Sequence, residues 1–241
     1  GGEKTLGAID NVYRHSISHA SFLHFTSTDA YAKRLEQMLE ENRHVYNVGS
    51  LSLDNLNDMS LYTVEEFKQK WNIDLASGPV LVTFHPETVF VEKNEKYANE
   101  IANFLSDLPN SVVITMPNAD TAGLMVRKIF TERLGGLSHV NMIENFGTRG
   151  YFTLLKHCLF VLGNSSSGII EAASFGKYVV NIGDRQKGRA TSNNVISCNA
   201  DAVSIAKACE AVLKKGSYEG GNIYFKRKVA ETIIEILKKC A

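Results

Sequence analysis

The sequence lacks most of the features that would assign it quickly. Charge of one sign is missing: 26 basic and 26 acidic residues cancel to a formal net charge of +0, so nothing favours nucleic acid or an anionic membrane surface as a partner. No apolar run approaches the ~20 residues of a membrane span, and no signal-peptide pattern opens the chain. The four cysteines (Cys158, Cys198, Cys209 and Cys240) have neither metal-ligand nor disulfide-framework spacing. Cys158, at the start of an apolar run, reads as a buried small residue. A reducing, cytoplasmic setting is expected. Internal repeats, low-complexity tracts, a Walker loop and the glycine-rich dinucleotide fingerprint are also missing. His15, His19 and His24 share no helical face with a carboxylate at metal-site spacing, which argues against zinc.

What is present is ordinary in bulk and informative in pattern. With 241 residues, 44% of them hydrophobic, the chain can build one large domain or a domain plus part of another. Gly1-Gly2-Glu3 reads as the interior of a loop. Ile9, Val12, Tyr13 and Ile17 repeat at helical spacing, and Phe22–Phe25 reads as a strand. Thr28 or Asp29 caps a helix through Leu39, and Val45–Val48 is a second strand. Residues 1–50 thus resemble the tail of a parallel α/β domain without its beginning, and unless its exposed sheet edges and apolar surface are covered, that part is expected to be disordered, repacked or self-associating. Residues 51–75 form a connecting region, in which Thr63-Val64-Glu65-Glu66 has the shape of a capping box.

Residues 76–241 read as a fuller α/β series. Strands are expected at Val80–Phe84, Val112–Met116, Val140–Ile143, Phe160–Leu162 and Tyr178–Ile182, each short, β-branched and bounded by Pro, Gly or Asn. Helices are expected at Lys93–Leu108, Thr121–Leu134, Arg149–His157 and Ser166–Phe175. Asp201–Leu213 and Lys226–Lys239 close the chain, with a turn at Gly220-Gly221. Alternating strand and helix implies a doubly wound parallel sheet, whose ligands bind beyond the carboxyl ends of the strands. That rule singles out five loops. They carry His85-Pro86-Glu87-Thr88, Pro117-Asn118-Ala119-Asp120, Asn145-Phe146-Gly147, Gly163–Glu171 and Gly183–Arg189, and one crevice is the natural inference.

The most informative loop is Gly163-Asn164-Ser165-Ser166-Ser167-Gly168-Ile169-Ile170-Glu171. A helix starting on Ser and Gly offers free N–H groups, hydroxyls and the positive end of its dipole to an anion. Glu171, one to two turns on, suits sugar hydroxyls, and Arg185, Lys187 and Arg189 add positive charge from the next loop. A pocket for a phosphorylated sugar or nucleotide follows. Against this stand plainer readings: a serine-capped helix with an exposed Glu, a turn at Asn118, core roles for Phe146 and Tyr151, and a solvated basic loop at Arg185–Arg189. His85 either donates to a phosphate or relays a proton. Around the first helix, Glu3, Asp10, Arg14 and His15 form a polar set, and Asp10 with Arg14 has the spacing of a surface ion pair.

These residues resemble a known family. Gly1-Gly2-Glu3, Thr5, Gly7-Ala8-Ile9-Asp10, Arg14-His15-Ser16-Ile17 and Leu23-His24-Phe25 are similar to the hydrolysing UDP-N-acetylglucosamine 2-epimerases. So are Phe84-His85-Pro86, Met116–Asp120, Gly163–Glu171 with Ser174-Phe175-Gly176, and Val180–Arg189. The resemblance implies a glycosyltransferase-B-like fold: one complete Rossmann-like doubly wound sheet plus the tail of a second, with substrate between them. It implies conversion of UDP-N-acetylglucosamine and water to N-acetylmannosamine and UDP, feeding sialic acid synthesis, with no cofactor and no metal. By position it gives Ser165 and Ser166, with Gly163 in their turn, to the diphosphate and Glu171 to the ribose. Arg185 falls in the basic loop, Asn118 in the pocket, His85 on phosphate and in catalysis, and Tyr151 or Phe146 beside the uracil. Asp10 falls to acid–base work, and Glu3 and Arg14 to the same catalytic motif. The family's first hundred or so residues are not in this sequence, so a truncated chain, inactive alone, is expected, with a homo-oligomer for the full-length form. The alternatives are a related hydrolysing epimerase for UDP-diacetamidobacillosamine, the non-hydrolysing epimerase, a non-catalytic UDP-binding module and, more distantly, a glycosyltransferase.

Overall fold

The computed structural model describes residues 1–5, 10–54, 56, 58–118 and 121–240. Gly7-Ala8-Ile9 of the first motif and Ala119-Asp120 of the third lie outside the described residues. The first part runs α1 (Asn11–Ala20), β1 (His24–Thr26), α2 (Asp29–Leu39) and β2 (Val45–Asn47). Thr28 caps α2, its hydroxyl accepting from the Tyr31 N–H at 3.3 Å. β1 and β2 pair in parallel as a sheet of two strands. Val12, Tyr13, Ile17 and Phe22, on and just after α1, are each more than 60% exposed.

A short 3-10 turn at Leu51–Leu53 leads to α3 (Val64–Trp71), where the capping box forms as expected. The Thr63 hydroxyl accepts from Glu66 N–H at 3.1 Å and the Glu66 carboxylate from Thr63 N–H at 2.8 Å. The series continues with β3 (Val80–Thr83), α4 (Asn94–Ser106), β4 (Val112–Thr115), α5 (Thr121–Leu134), β5 (Val140–Ile143), α6 (Gly147–His157) and β6 (Val161–Gly163). It ends with α7 (Ser166–Ile170), β7 (Val179–Ile182), β8 (Val195–Cys198), α8 (Ala202–Lys215) and α9 (Val229–Cys240). The large sheet has the order β5-β4-β3-β6-β7-β8, and every neighbouring pair is parallel. β8 departs from the sequence reading, which assigns no element there. Val195-Ile196-Ser197-Cys198 is an edge strand with no fully buried residue, so its pattern lacks the continuous apolar run that marks the central strands.

Alternation along β3 divides the core. Val80, Val82 and the following Phe84 pack with Ala98, Ile101, Ala102 and Leu105, the single apolar face of α4, and with Phe130 of α5. Leu81 points the other way, into a cluster with Phe67, Phe152, Leu155 and Cys158. Each fully buried aliphatic or aromatic side chain contributes about 1.5–3 kcal/mol of transfer free energy. The end of the chain returns to the first part: Ser50 N–H donates to Tyr224 O at 2.8 Å. Both Asp54 oxygens accept from N–H groups at the start of α9, Val229 at 2.6 Å and Ala230 at 2.9 Å. Among the described residues no helix is long and apolar enough to cross a membrane.

Candidate functional site

The strand order reverses between β3 and β6: successive strands step outward in one direction from β3 and in the other from β6. Loops leaving two such strands diverge to opposite faces and open a crevice between them. The loop after β3 carries His85 and the loop after β6 carries Asn164, Ser165 and Ser166. Asn164, 1% exposed, clamps the two loops together. Its side-chain oxygen accepts from the His85 N–H at 2.7 Å and its amide donates to the His85 carbonyl at 2.8 Å. The strands approach closely here. Gly163 has φ 134°, and a Cβ on it would lie 2.0 Å from the Thr83 carbonyl oxygen, so only glycine fits.

The loop after β7 completes this end of the crevice. Arg185 and Gln186 both donate to the Asn164 carbonyl, at 3.0 and 2.6 Å. Burial, with the neighbouring charge of Arg189 adding to it, pulls the Arg185 guanidinium below its ordinary value. Glu87, 1% exposed, accepts from the Asp184 N–H at 3.0 Å and so ties the same loop to β3. His85, Glu87, Thr88, Asn118 and Arg185 line one cavity of about 390 Å³. Three of the residues singled out in the sequence, His85, Asn118 and Arg185, therefore meet at one opening.

The serine turn is built differently from expectation. α7 is only five residues long and passes into a 3-10 turn at Ala172–Phe175, so its dipole is small. The Ser165 hydroxyl is engaged as the helix cap, accepting from Ser167 N–H at 3.3 Å. Glu171 is not an exposed residue on a helix face. It sits at the junction of the two helical turns, 8% exposed, and accepts a hydrogen bond from the Ser52 hydroxyl at 2.8 Å. Burial raises its carboxyl above the ordinary range, opposed in part by hydroxyl hydrogen bonds and the Arg189 charge. Tyr151, on α6, is pushed up to about 12 by burial, and the Ser167 and Thr83 hydroxyls offset this only in part. Phe146 is a core residue, 6% exposed, stacked on Phe67 at 5.4 Å between ring centroids and edge-on to Trp71 at 5.2 Å.

A second polar group forms at the amino-terminal end. Arg14 donates from Nη1 to Glu3 Oε1 at 2.8 Å and from Nε to Asp10 Oδ2 at 2.6 Å. The Asp10–Arg14 pair of the sequence reading is therefore part of a larger group. Arg189, which the sequence offers either to an anion pocket or to a solvated basic loop, is its third arm. Its side chain is 12% exposed, and it donates from Nη2 to the same Glu3 Oε1 at 2.5 Å and from Nε to the Thr5 hydroxyl at 3.3 Å. Lys187 remains on the surface, beside Asp184 at 3.4 Å. The loop from Gly183 to Arg189 thus touches the His85–Asn118 cavity through Arg185 and the acidic group through Arg189. Asp10 Oδ1, Glu87 Oε2, Gln186 Oε1 and Arg189 Nη1 are buried without a hydrogen-bond partner among the described residues. Such orphans mark places built for something other than packing. Among the described residues, no group of three or more His, Cys, Asp or Glu is placed to hold a metal ion.

Sequence reasoning gives no role to Asn164, Glu87, Gln186 or Ser52, and it assigns Arg189 to the anion pocket and not to the acidic group. Asn164 stands inside the stretch the sequence singled out, and its position directly after an apolar strand was the available signal. The partners of Arg189 and Ser52 are 186 and 119 residues away, and no local pattern records them.

A six-stranded parallel sheet with polar loops gathered at its switch point, joined to a smaller parallel sheet, defines a glycosyltransferase-B-like α/β protein. The chain belongs to the UDP-N-acetylglucosamine 2-epimerase family, whose model matches residues 1–238. It is 39% identical over 198 residues to the GDP/UDP-N,N'-diacetylbacillosamine 2-epimerase (hydrolyzing) of Campylobacter jejuni, covering 81% of this chain and 52% of that protein. It is 31% identical to the UDP-N,N'-diacetylbacillosamine 2-epimerase (hydrolyzing) of Legionella pneumophila, covering 99% of this chain and 63% of that protein. The chain therefore spans between half and two thirds of the length of these relatives. Among solved structures, UDP-GlcNAc 2-epimerase from Neisseria meningitidis bound to UDP-GlcNAc superposes with a TM-score of 0.77 at 19% identity, covering 98% of this chain and 69% of that one. At that identity the likeness speaks for the fold alone.

Proposed function

We propose that the protein carrying this chain is a hydrolysing 2-epimerase of a UDP-2-acetamido sugar. The observation that carries the reading is the loop Gly183–Arg189, which lines the His85–Asn118 cavity through Arg185 and binds Glu3 of the Glu3–Asp10–Arg14 group through Arg189. One loop serving an anion pocket and an acid–base group suits a reaction in which a diphosphate leaves as a proton is moved. A base removes the proton at the sugar C2, the C2–H electron pair becomes the C1=C2 double bond, and the C1–O pair departs with UDP. Water then adds its hydroxyl to C1 and a proton returns to C2 on the opposite face, giving the 2-epimer. Water is consumed and nothing is oxidised, so the reaction as written uses no nicotinamide.

In this reading Ser165, Ser166 and Arg185 bind the diphosphate, with Asn118 and His85 at the rim, and His85 assists departure of UDP. Glu171 accepts the ribose hydroxyls, and Tyr151 lies towards the base. Asp10, Glu3 and Arg14 serve the proton transfers. Residues 1–50 act as the end of one Rossmann-like domain, 51–75 as a connector and 76–241 as the nucleotide-binding domain. The relatives at 39% and 31% identity favour UDP-N,N'-diacetylbacillosamine as substrate. UDP-N-acetylglucosamine is the second reading, favoured by the description of the family the chain belongs to.

The test is to incubate the natural chain that bears these residues with each UDP-sugar and follow UDP and free 2-epimerised sugar. UDP release with the bacillosamine derivative in excess of the N-acetylglucosamine one is expected, and no release from either would overturn the reading. Calorimetry with UDP separates binding from turnover. Replacing Ser165 and Ser166 together by Ala is expected to weaken UDP about tenfold, the loss of hydrogen bonds worth roughly 1.4 kcal/mol. Unchanged affinity would remove the diphosphate from that turn.

A further inference from the structure

Arg189 has no role in the phosphate pocket described above, yet it is among the most constrained cations of the chain. A guanidinium with 12% of its side chain exposed costs several kcal/mol to desolvate unless it is paired and hydrogen-bonded. Two of its three nitrogens are spent on the amino-terminal motif, Nη2 on Glu3 and Nε on Thr5. Its backbone is held as firmly. The next residue, Ala190, donates its N–H to the Tyr31 hydroxyl at 3.1 Å and accepts from the Tyr224 hydroxyl at 2.7 Å. Those two hydroxyls meet at 2.9 Å, so α2 and the segment before α9 grip the loop from both sides.

The geometry at Glu3 is specific. Arg14 and Arg189 both donate to Oε1, and neither engages Oε2. One N–H from each guanidinium meets the same oxygen, so that oxygen is anchored from two sides and the turning of the carboxylate is restricted. Arg14 shares itself with Asp10, so removal of Arg189 would leave Glu3 held by a guanidinium that has a second carboxylate to serve.

We infer that Arg189 is a positioning residue, which orients the Glu3 carboxylate for proton transfer and links that orientation to the nucleotide loop it belongs to. The inference rests on the epimerase reading above. Arg189 acts through Glu3 and need not touch the sugar. Four residues separate it from Arg185, so closure of the loop on a diphosphate would be felt at Glu3 directly. The other charged or titratable groups around Glu3 are Arg14 from α1, Asp10 just before it, and the Tyr224 hydroxyl. Of these, Arg14 is the other group bonded to Oε1.

The experiment compares Arg189→Gln, Arg189→Lys and Arg189→Ala in the natural chain, with Lys187→Gln on the same loop as control. Arg189→Gln is expected to lower kcat about tenfold to a hundredfold, with KM and UDP affinity changed by less than about threefold. Arg189→Lys should recover only part of the rate, because an ammonium cannot reproduce the fork, and added guanidinium should restore part of it to Arg189→Ala. The carbon-13 carboxylate signal of Glu3 in glutamate-labelled protein reads the same contact without turnover, and at fixed neutral pH it should shift in Arg189→Gln but not in Lys187→Gln. An unshifted Glu3 signal overturns the inference, as does a fall in kcat matched by an equal loss of UDP affinity. If no UDP-2-acetamido sugar is turned over by the unaltered chain, the epimerase reading fails, and the Glu3 signal still decides whether Arg189 positions Glu3.

Discussion

At Glu171 two demands on one carboxylate oppose each other. Burial raises its proton affinity, while the ribose-binding role proposed for it calls for an ionised carboxylate open to a ligand. The sign of the stability effect follows from linkage. A carboxyl whose folded pKa lies above its unfolded value stabilises the fold most below the unfolded value, and that contribution is lost as pH rises through the folded one. Glu171→Gln is therefore expected to melt at a higher temperature than the unaltered chain at neutral pH. The gap should close as pH falls toward the model-peptide range, and melts at a series of pH values check it. The same variant is expected to bind UDP about tenfold more weakly, a trade of function for stability common at ligand sites. Gly163 shows a second kind of constraint. With φ 134° and the Thr83 carbonyl in the place of a Cβ, Gly163→Ala is expected to cost about 3 kcal/mol or more in denaturant unfolding.

Among the elements, the two loops flanking the strand switch are joined by a single amide. Asn164→Ala removes both hydrogen bonds that its amide makes to the His85 backbone, together worth roughly 1–3 kcal/mol. A loss near the lower end is expected in denaturant titration, because the crevice admits water, together with weakened UDP binding. What the sequence revealed at this scale is uneven, and the reasons are physical. The central strands and α4 were legible because their apolar spacing repeats within a few residues, as at Ala98, Ile101, Ala102 and Leu105. β8 was not, because an edge strand with half-exposed residues needs no apolar run. α7 was read too long, since a change to a 3-10 turn leaves no mark in the pattern. The strand-end rule gathered His85, Asn118 and Arg185 correctly around one cavity. It could not distinguish Arg185, Lys187 and Arg189, which look alike in sequence and end in three different environments.

For the whole molecule, the join between the small sheet and the large one combines a buried cluster of Tyr31, Leu53, Ile169 and Tyr224 with polar contacts. Tyr31, Tyr224 and Ala190 form one closed set of hydrogen bonds, with Ser52 to Glu171 and Arg189 to Glu3 beside it. Tyr224→Phe keeps the ring but removes the hydroxyl that donates to the Ala190 carbonyl. A loss of about 1–3 kcal/mol is expected in urea. If the two sheets then unfold as separate units, fluorescence from Trp71 and far-ultraviolet circular dichroism will give different midpoints.

The contact between Glu3 and Arg189 also sets an order of assembly. It spans a sequence separation of 186, against the 79 between Asn164 and His85. Long closures cost more entropy and slow the steps that depend on them. The pairing of Arg14 with Glu3 and Asp10 closes over a few residues, whereas the arm from Arg189 can be added only after the large sheet has brought its loop into place.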